Sequence, residues 1–255
     1  MAHWVTFTYK NEKNFGVLDT NTVEIYSGDM FNQPVATGKK INANDMTLLN
    51  PCNPSKIIAL WNNYKTLAAE KDLSKPNNPL YLNKAISCIS QPGEDIIRPM
   101  HYDEAIFYEG ELGIVIGKHC KDVEPNESKG YIFGYTCIND VTGMDIVKKD
   151  PSFDQWTRSK SFDTFGIYGP LISTEIDPLN LQIESKLNGK TVQNYNTSDM
   201  FFNVFEIVSF LSKDMSLLPG DIIACGTNVG LGPMNEGDTI QVSVEGIGEL
   251  TNKLV

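Results

Sequence analysis

Histidine is scarce in this chain. Its 255 residues include only His3, His101 and His119. A metal site built on several histidines, or a Ser-His-Asp triad, therefore has few side chains to draw on. His101 and His119 flank the acidic segment described below, and His119 falls at a predicted turn, which favours a surface role over catalysis.

Cysteine argues equally against a thiolate centre. The chain has five cysteines, an odd number, and no two are spaced as Cys-x-x-Cys: Cys52, Cys88, Cys120, Cys137 and Cys225. Such scattered residues favour reduced thiols in a cytoplasmic protein over a disulfide framework or a zinc site.

Long apolar runs and positive charge are also lacking. No run of about 18 apolar residues occurs, so we expect no transmembrane helix. The first residues show no basic segment followed by an apolar one, which argues against a secretory signal. Lys and Arg number 21 against 32 Asp and Glu, a net charge of -11. This balance argues against nucleic acid or an anionic membrane as a partner.

What the chain does contain is enough apolar sequence for a sizeable core, since 41% of its residues are hydrophobic. Short alternating segments over residues 1–50 predict a small β-rich N-terminal domain. The cluster Pro51-Cys52-Asn53-Pro54 breaks any regular structure and is the best boundary. We therefore predict a second, larger domain over residues 51–255.

Strand patterns outnumber helix patterns in that second domain. Asn188-Gly189 between two short polar-apolar segments predicts a type I′ hairpin turn. Helices are predicted over residues 64–71, 124–129 and 198–213, the last with Ser198 as its N-cap. Residues 150–165 show no period and read as an extended loop. The fold class is therefore α+β and predominantly β, with mixed strand pairing.

An acidic pair marks the candidate site. If residues 109–117 form a strand, Glu109 and Glu111 point to the same face. Asp140, which follows the next apolar run, can add a third oxygen ligand. Three carboxylates without nitrogen or sulfur ligands favour a hard divalent cation. The alternative is that the pair consists of solvent-facing charges on an edge strand.

Five short motifs, in their order and spacing, resemble the fumarylacetoacetate hydrolase superfamily over residues 56–250. They are Tyr108-Glu109-Gly110-Glu111-Leu112, Gly134-Tyr135 with Asn139-Asp140, Lys160-Ser161-Phe162, Leu218-Pro219-Gly220-Asp221, and Gly226-Thr227. The resemblance implies a mixed β-roll, a homodimer, a Mg²⁺ or Mn²⁺ site, and a small 2-oxo acid or its enol as substrate.

The resemblance also assigns residues. It makes Glu109, Glu111 and Asp140 the metal ligands and Lys160 a catalytic, substrate-contacting lysine. The alternative for Lys160 is a solvated surface lysine.

Substrate contacts are expected at Tyr64, Gly226 and Thr227. For Thr227, a plain turn residue is an equal alternative. The aromatic residues Trp156, Phe162 and Phe165 either wall the pocket or belong to the core.

The chain departs from the family pattern on the water-activating side. Hydrolytic members resemble Asn-Tyr-x-x-His-x-x-Glu, and Leu67 stands here where the histidine would be. Glu70 is retained as a candidate base, although an exposed helix charge is its alternative. Lys65 is a weaker substitute for the missing base.

Further departures concern the groups that would bind the substrate carboxylate. Met144 and Val147 replace the common Arg and Gln. The family's Phe-Leu-Lys-Pro run appears in this chain as Tyr81-Leu82-Asn83-Lys84.

These patterns predict a Mg²⁺-dependent enzyme that acts on a 2-oxo or β-diketo acid through a metal-stabilised enolate. Acylpyruvate-type C–C hydrolysis is the family default, and decarboxylation needs mainly the metal as electron sink. One alternative is an isomerase or hydratase of a 2-hydroxydienoate such as 2-hydroxyhepta-2,4-diene-1,7-dioate. Another is a family member that binds a 2-oxo acid and metal without turnover.

Overall fold

The computed structural model describes residues 2–255, which form 19 β-strands and four α-helices. The strands before the proline-rich boundary are β1 His3–Tyr9, β2 Glu12–Asp19, β3 Thr22–Asp29, β4 Asn32–Asn42 and β5 Thr47–Leu49. Those after it are β6 Ile57–Trp61, β7 Leu80–Lys84, β8 Ile89–Ser90, β9 Ile106–Tyr108, β10 Gly110–Ile116, β11 Ile132–Asp140, β12 Thr142–Gly143, β13 Gly166–Ser173, β14 Gln182–Leu187, β15 Lys190–Asn196, β16 Ile222–Ala224, β17 Gly232–Met234, β18 Thr239–Val244 and β19 Gly248–Lys253.

The helices are few and short. They are α1 Lys65–Glu70, α2 Met144–Val147, α3 Trp156–Ser159 and α4 Val204–Asp214. Single 3₁₀ turns lie at Ala43–Asp45, Ile86–Cys88, Ser128–Tyr131 and Thr197–Asp199. Strands therefore dominate, which confirms the predominantly β fold. No helix of residues 2–255 is long and apolar enough to cross a membrane.

The largest sheet runs in the order β4-β3-β2-β1-β13-β11-β10-β16-β6-β7, with β5 paired to β1 and β8 to β13. The N-terminal strands join it because β1 pairs with β13 at His3↔Ser173 and Trp4↔Ile172. The segments on either side of Pro51 therefore share one sheet. The division into two domains stays a prediction.

Strands β10 and β11 lie in the middle of this sheet and carry the candidate site. They are antiparallel, and every residue of β10 is buried. Strands β14 and β18 of a smaller sheet, β15-β14-β18-β19, contact β10, and a third sheet, β12-β9-β17, completes the fold. The burial of every residue explains why β10 has a continuous apolar run rather than a simple alternation.

The hairpin of β14 and β15 turns where the sequence predicts. Asn188 and Gly189 have φ of 51° and 79°, which are the two positive values that a type I′ turn requires. The flanking residues Leu187 and Lys190 are paired. This hairpin prediction is confirmed.

The long C-terminal helix begins later than predicted. Helix α4 starts at Val204, and Asn203 caps it by accepting from the N–H groups of Phe205 and Glu206. Glu206 accepts from the N–H of Asn203 in return, at 2.8 Å. Because this reciprocal capping box holds the first turn, the predicted start at Ser198 is wrong.

We expect Asn203→Ala to lower the free energy of unfolding by about 1 kcal/mol, the usual cost of an N-cap. Ser198→Ala should change it by less than about 0.5 kcal/mol, because Ser198 is exposed and caps no α-helix. Urea denaturation of both variants measures the difference. A larger loss for Ser198→Ala would contradict this capping assignment.

Two further predictions of local structure need correction. Residues 124–129 do not form a helix: they form turns that lead into the 3₁₀ turn at Ser128–Tyr131. The segment is too short for helical propagation to offset nucleation. Residues 150–165 are mostly irregular as expected, but contain helix α3.

Candidate active site

Three carboxylates converge at the ends of β10 and β11. Glu111 lies in β10, Glu109 just before it, and Asp140 at the last position of β11. The register Gly110↔Asn139 places Asp140 beside Glu109, and the N–H of Asp140 donates to the carbonyl of Glu109 at 2.9 Å. One carboxylate oxygen from each side chain lies within 4.8 Å of the other two.

All three residues are buried, with exposures of 6% for Glu109 and 0% for Glu111 and Asp140. The structure therefore does not place the acidic pair on a solvent-facing edge. Burial first, and the charge of Asp140 next, raise the pKa of Glu111 well above its usual value. Burial also raises the pKa of Glu109, against the opposing effect of Lys160.

Lys160 binds this cluster directly. Its Nζ donates to Glu109 Oε2 at 2.9 Å, to Asp140 Oδ2 at 2.5 Å and to Thr142 Oγ1 at 2.8 Å. The side chain is 3% exposed, so it is not a solvated surface lysine. Burial alone would lower its pKa, but the surrounding carboxylates, Asp140 foremost, raise it above the usual value. Lys160 is therefore an ammonium ion at rest.

A second lysine was missed from the sequence. Lys84, on β7, donates from Nζ to Asp140 Oδ1 at 2.5 Å and is buried. The sequence sets the family's lysine against Asn83, and the same run moved by one residue sets it against Lys84. Burial would raise the pKa of Asp140, but Lys160 and Lys84 together lower it.

The cluster fits a hard divalent cation. Three carboxylates and the Nζ groups of Lys84 and Lys160 meet in one buried site. Glu111 Oε2 accepts from the N–H of Gly226 at 2.7 Å, but its buried Oε1 has no partner in residues 2–255. An unpaired carboxylate oxygen beside two further carboxylates is what Mg²⁺ or Mn²⁺ would coordinate. The identity of the metal stays a proposal.

The loop after β16 brings Gly226 and Thr227 to the same site. The Thr227 hydroxyl donates to the carbonyl of Gly110 at 3.1 Å and accepts from Gln193 Nε2 at 2.9 Å. Its oxygen is thus already engaged. The backbone N–H of Thr227 has no acceptor among residues 2–255, which leaves it available to a ligand.

Tyr64, a predicted substrate contact, is buried. Its ring is 1% exposed and meets Tyr195 edge to face at 5.0 Å between centroids. Its hydroxyl has no partner among the described residues. Burial, with Tyr195 and Glu111 nearby, raises its pKa well above the usual value. Tyr64 does not line the cavity described next.

A cavity opens over Lys160, Glu109 and Thr227 and has a mostly apolar wall. Its apolar residues are Leu60, Trp61, Leu67, Leu73, Met144, Trp156 and Leu231, and its polar ones are Asn62, Lys71, Glu109, Lys160 and Thr227. Leu67 and Met144, two of the departures from the family pattern, thus face the ligand space. The wall carries no histidine.

Other predicted candidates lie elsewhere. Glu70 is exposed on α1 and does not line the cavity, although the next residue, Lys71, does. Lys65 is exposed and donates to the carbonyl of Ser198 at 3.4 Å. Val147 is 3% exposed and lies outside the wall.

Most of the remaining histidine and aromatic candidates also lie outside the cavity wall. His101 and His119 are exposed. Phe165 is fully buried and packs against Phe162 at 5.3 Å between centroids. Of the three aromatic candidates, only Trp156 lines the cavity.

Family models match nearly the whole chain. The fumarylacetoacetate hydrolase C-terminal model matches residues 56–255. A second model, described as Rv2993c-like, N-terminal, matches residues 2–51.

Similar proteins are found in archaea and animals. An uncharacterised protein of Methanocaldococcus jannaschii is 44% identical over 82% of this chain and 86% of its own length. A mitochondrial protein of Rattus norvegicus, named oxaloacetate tautomerase, is 33% identical over 84% of this chain and 71% of its own.

Solved structures share the fold over its full length. The 2-hydroxyhepta-2,4-diene-1,7-dioate isomerase of Mycobacterium marinum is 35% identical, with a TM-score of 0.91 over 100% of this chain and 98% of the other. Maleylpyruvate hydrolase of a Sphingobium species, solved with manganese and pyruvate, is 25% identical, with a TM-score of 0.81 over 99% and 98%. The chain belongs to the fumarylacetoacetate hydrolase family of enzymes.

Proposed function

We propose that this protein moves a proton between carbon and oxygen in a 2-oxo acid or its enol, as a metal-dependent tautomerase or isomerase. The observation that carries the proposal is the apolar wall at Leu67. C–C hydrolysis needs a base that activates water, and here Leu67 faces the cavity at the position where the pattern that hydrolytic members resemble has a histidine. Proton transfer within the substrate needs no water.

Two relatives carry names that agree with this choice: a 33% identical protein is named a tautomerase and a 35% identical structure is named an isomerase. Two solved structures named hydrolases are 30% and 25% identical. We place the hydrolysis and decarboxylation expected from the family default second to proton transfer because of Leu67.

Glu109, Glu111 and Asp140 would hold Mg²⁺ or Mn²⁺. When bound, that cation would act as a Lewis acid, polarising the keto group of the substrate. The free N–H of Thr227 is placed to donate to a substrate carboxylate. The apolar wall excludes water, which strengthens each of these polar contacts.

Lys160 is the residue that we assign to holding and moving the proton. Its ammonium group lies on the cavity wall among three acceptors, so its position is held before substrate arrives. In the enol-to-keto direction, one Nζ proton passes to C3 of the substrate and the proton of the enol hydroxyl passes back to the amine, so Lys160 ends as an ammonium ion. In the reverse direction, the ammonium group protonates the keto oxygen and the resulting amine takes the proton from C3.

A substrate panel tests the proposal. Oxaloacetate tautomerisation, isomerisation of a 2-hydroxydienoate, and hydrolysis of acetylpyruvate and fumarylpyruvate should be measured with Mg²⁺, with Mn²⁺ and with EDTA. We expect metal-dependent tautomerisation or isomerisation to exceed hydrolysis. Faster hydrolysis would overturn the proposal. Metal binding without any turnover would support the non-catalytic alternative.

Leu67→His should raise acylpyruvate hydrolysis by about 10-fold or more, since a positioned base contributes 10²–10⁴-fold when its geometry is optimal. Leu67→Asn is the matched control, because it adds polarity at the same place without a base. Steady-state rates for both variants give the answer. Equal hydrolysis by the two would show that position 67 does not decide the reaction.

A further inference from the structure

Gly110 lies between two of the candidate metal ligands, and side chains form hydrogen bonds to both its N–H and its carbonyl. Its N–H donates to Gln193 Oε1 at 3.0 Å. Its carbonyl accepts from the hydroxyl of Tyr195 and, at 3.1 Å, from that of Thr227. The backbone between Glu109 and Glu111 is therefore fixed by side chains from outside β10.

Gln193 forms four hydrogen bonds and is 1% exposed. Its Oε1 accepts from Gly110 N and, at 2.8 Å, from Ser185 Oγ. Its Nε2 donates to Thr227 Oγ1 at 2.9 Å and to the carbonyl of Asn228 at 3.0 Å. One amide thus connects the β14–β15 hairpin, the strand of the acidic pair, and the loop that carries Thr227.

This connection requires glycine at position 110. A Cβ on Gly110 would lie 2.2 Å from Ser185 Oγ and 3.2 Å from Gln193 Oε1. A side chain there would push the hairpin away from β10. Gln193 and Tyr195 are two residues apart on β15, so both reach Gly110 from the same face of the strand.

We infer that Gln193 and Tyr195 are positioning residues, which set the directions of Glu109 and Glu111 and the place of the Thr227 N–H. The inference rests on the proposed function in that it takes the acidic triad as the metal site. By holding the Gly110 peptide, the two residues fix the backbone from which Glu109 and Glu111 would reach a cation. By holding Thr227, Gln193 fixes the position from which the Thr227 N–H would donate to a substrate carboxylate.

The test is Mn²⁺ affinity, measured by calorimetry on the whole protein without substrate. Gln193→Met keeps the volume and removes all four hydrogen bonds. We expect it to weaken Mn²⁺ binding by about 10–100-fold, as loss of groups that orient ligands does. The KM of Gln193→Met should rise as well, because the loop that carries Thr227 loses its hydrogen bonds to Gln193. Tyr195→Phe, which removes only a hydroxyl, should weaken Mn²⁺ binding by a smaller factor.

Ile183→Val is the matched control, since Ile183 is buried on the same hairpin and takes no part in these bonds. It should lower the melting temperature and leave Mn²⁺ affinity unchanged. Glu109→Gln, measured in parallel, should abolish binding. Wild-type affinity in both Gln193→Met and Tyr195→Phe would overturn the positioning inference alone. Absence of Mn²⁺ binding by the wild type would overturn the metal site, and this inference with it.

Discussion

Glu111→Gln should abolish metal binding and yet stabilise the metal-free protein. The two effects have opposite signs because the buried carboxylate of Glu111 destabilises the protein when no cation is bound. Glu111 is fully buried beside Glu109 and Asp140, and its Oε1 has no partner in the described chain. If Glu111 served only for packing, Glu111→Gln would leave metal binding unchanged and would not stabilise the metal-free protein.

The physical reason is first the burial of the Glu111 carboxylate and then repulsion from the charge of Asp140. Burial and the charge of Asp140 raise the pKa of Glu111 well above its usual value, so its ionised form is disfavoured there. Glutamine removes the charge and keeps an oxygen to accept from the N–H of Gly226. It cannot supply the anionic ligand, so we expect metal affinity to fall by more than about 100-fold, beyond the 10–100-fold typical of outer partners.

Two measurements check this prediction. Calorimetric titration with Mn²⁺ gives the affinity, and thermal unfolding in EDTA gives the stability of the metal-free form. Each kcal/mol gained should raise the melting temperature by roughly 2–4 °C for a chain of this size. Glu12→Gln, at an exposed position on β2, is the control for loss of one negative charge. A lower melting temperature for Glu111→Gln in EDTA would contradict the metal role.

Asp221→Ala should destabilise the protein by about 3–5 kcal/mol, because it removes all the hydrogen bonds of a buried carboxylate, each worth roughly 0.5–1.5 kcal/mol, and its ion pair with the partly exposed Lys56. Asp221 is fully buried and accepts five hydrogen bonds. Oδ1 accepts from the N–H and hydroxyl of Ser55 and from the N–H of Lys56, at 2.9, 2.6 and 3.2 Å. Oδ2 accepts from Lys56 Nζ at 2.5 Å and from the N–H of Leu218 at 2.8 Å.

These bonds join the start of β6 to the start of β16, two strands that pair in parallel. Alanine would leave the N–H groups of Ser55, Lys56 and Leu218 without their carboxylate acceptor, which adds to the loss of the ion pair. Because β16 leads into the loop of Gly226 and Thr227, the site should lose order together with the fold.

Thermal and urea unfolding measure the loss, which corresponds to a fall of roughly 6–20 °C in melting temperature. Asp221→Asn is the matched control: it keeps one oxygen acceptor, so its loss should be smaller. Lys56→Met tests the ion pair from the other side. A loss below about 1 kcal/mol for Asp221→Ala would show that the two strands are held together without it.

The sequence by itself determined what depends on short spacing. Alternation along a strand placed Glu109 and Glu111 on one face, and the order of motifs added Asp140 and Lys160. The Asn188-Gly189 pair set its own turn, because a type I′ turn needs two positive φ values that these residues tolerate. The family and the mostly β fold followed from the same local patterns.

Only the tertiary structure decided which distant groups complete the site. Lys84 reaches Asp140 across 56 positions, and Gln193 reaches Gly110 across 83. No local pattern marks such partners, because strand pairing and packing between sheets bring them together. The same holds for Glu70, which spacing made a candidate base and the fold leaves in solvent. Buried polar groups must find partners wherever the fold provides them, and that choice is made in three dimensions.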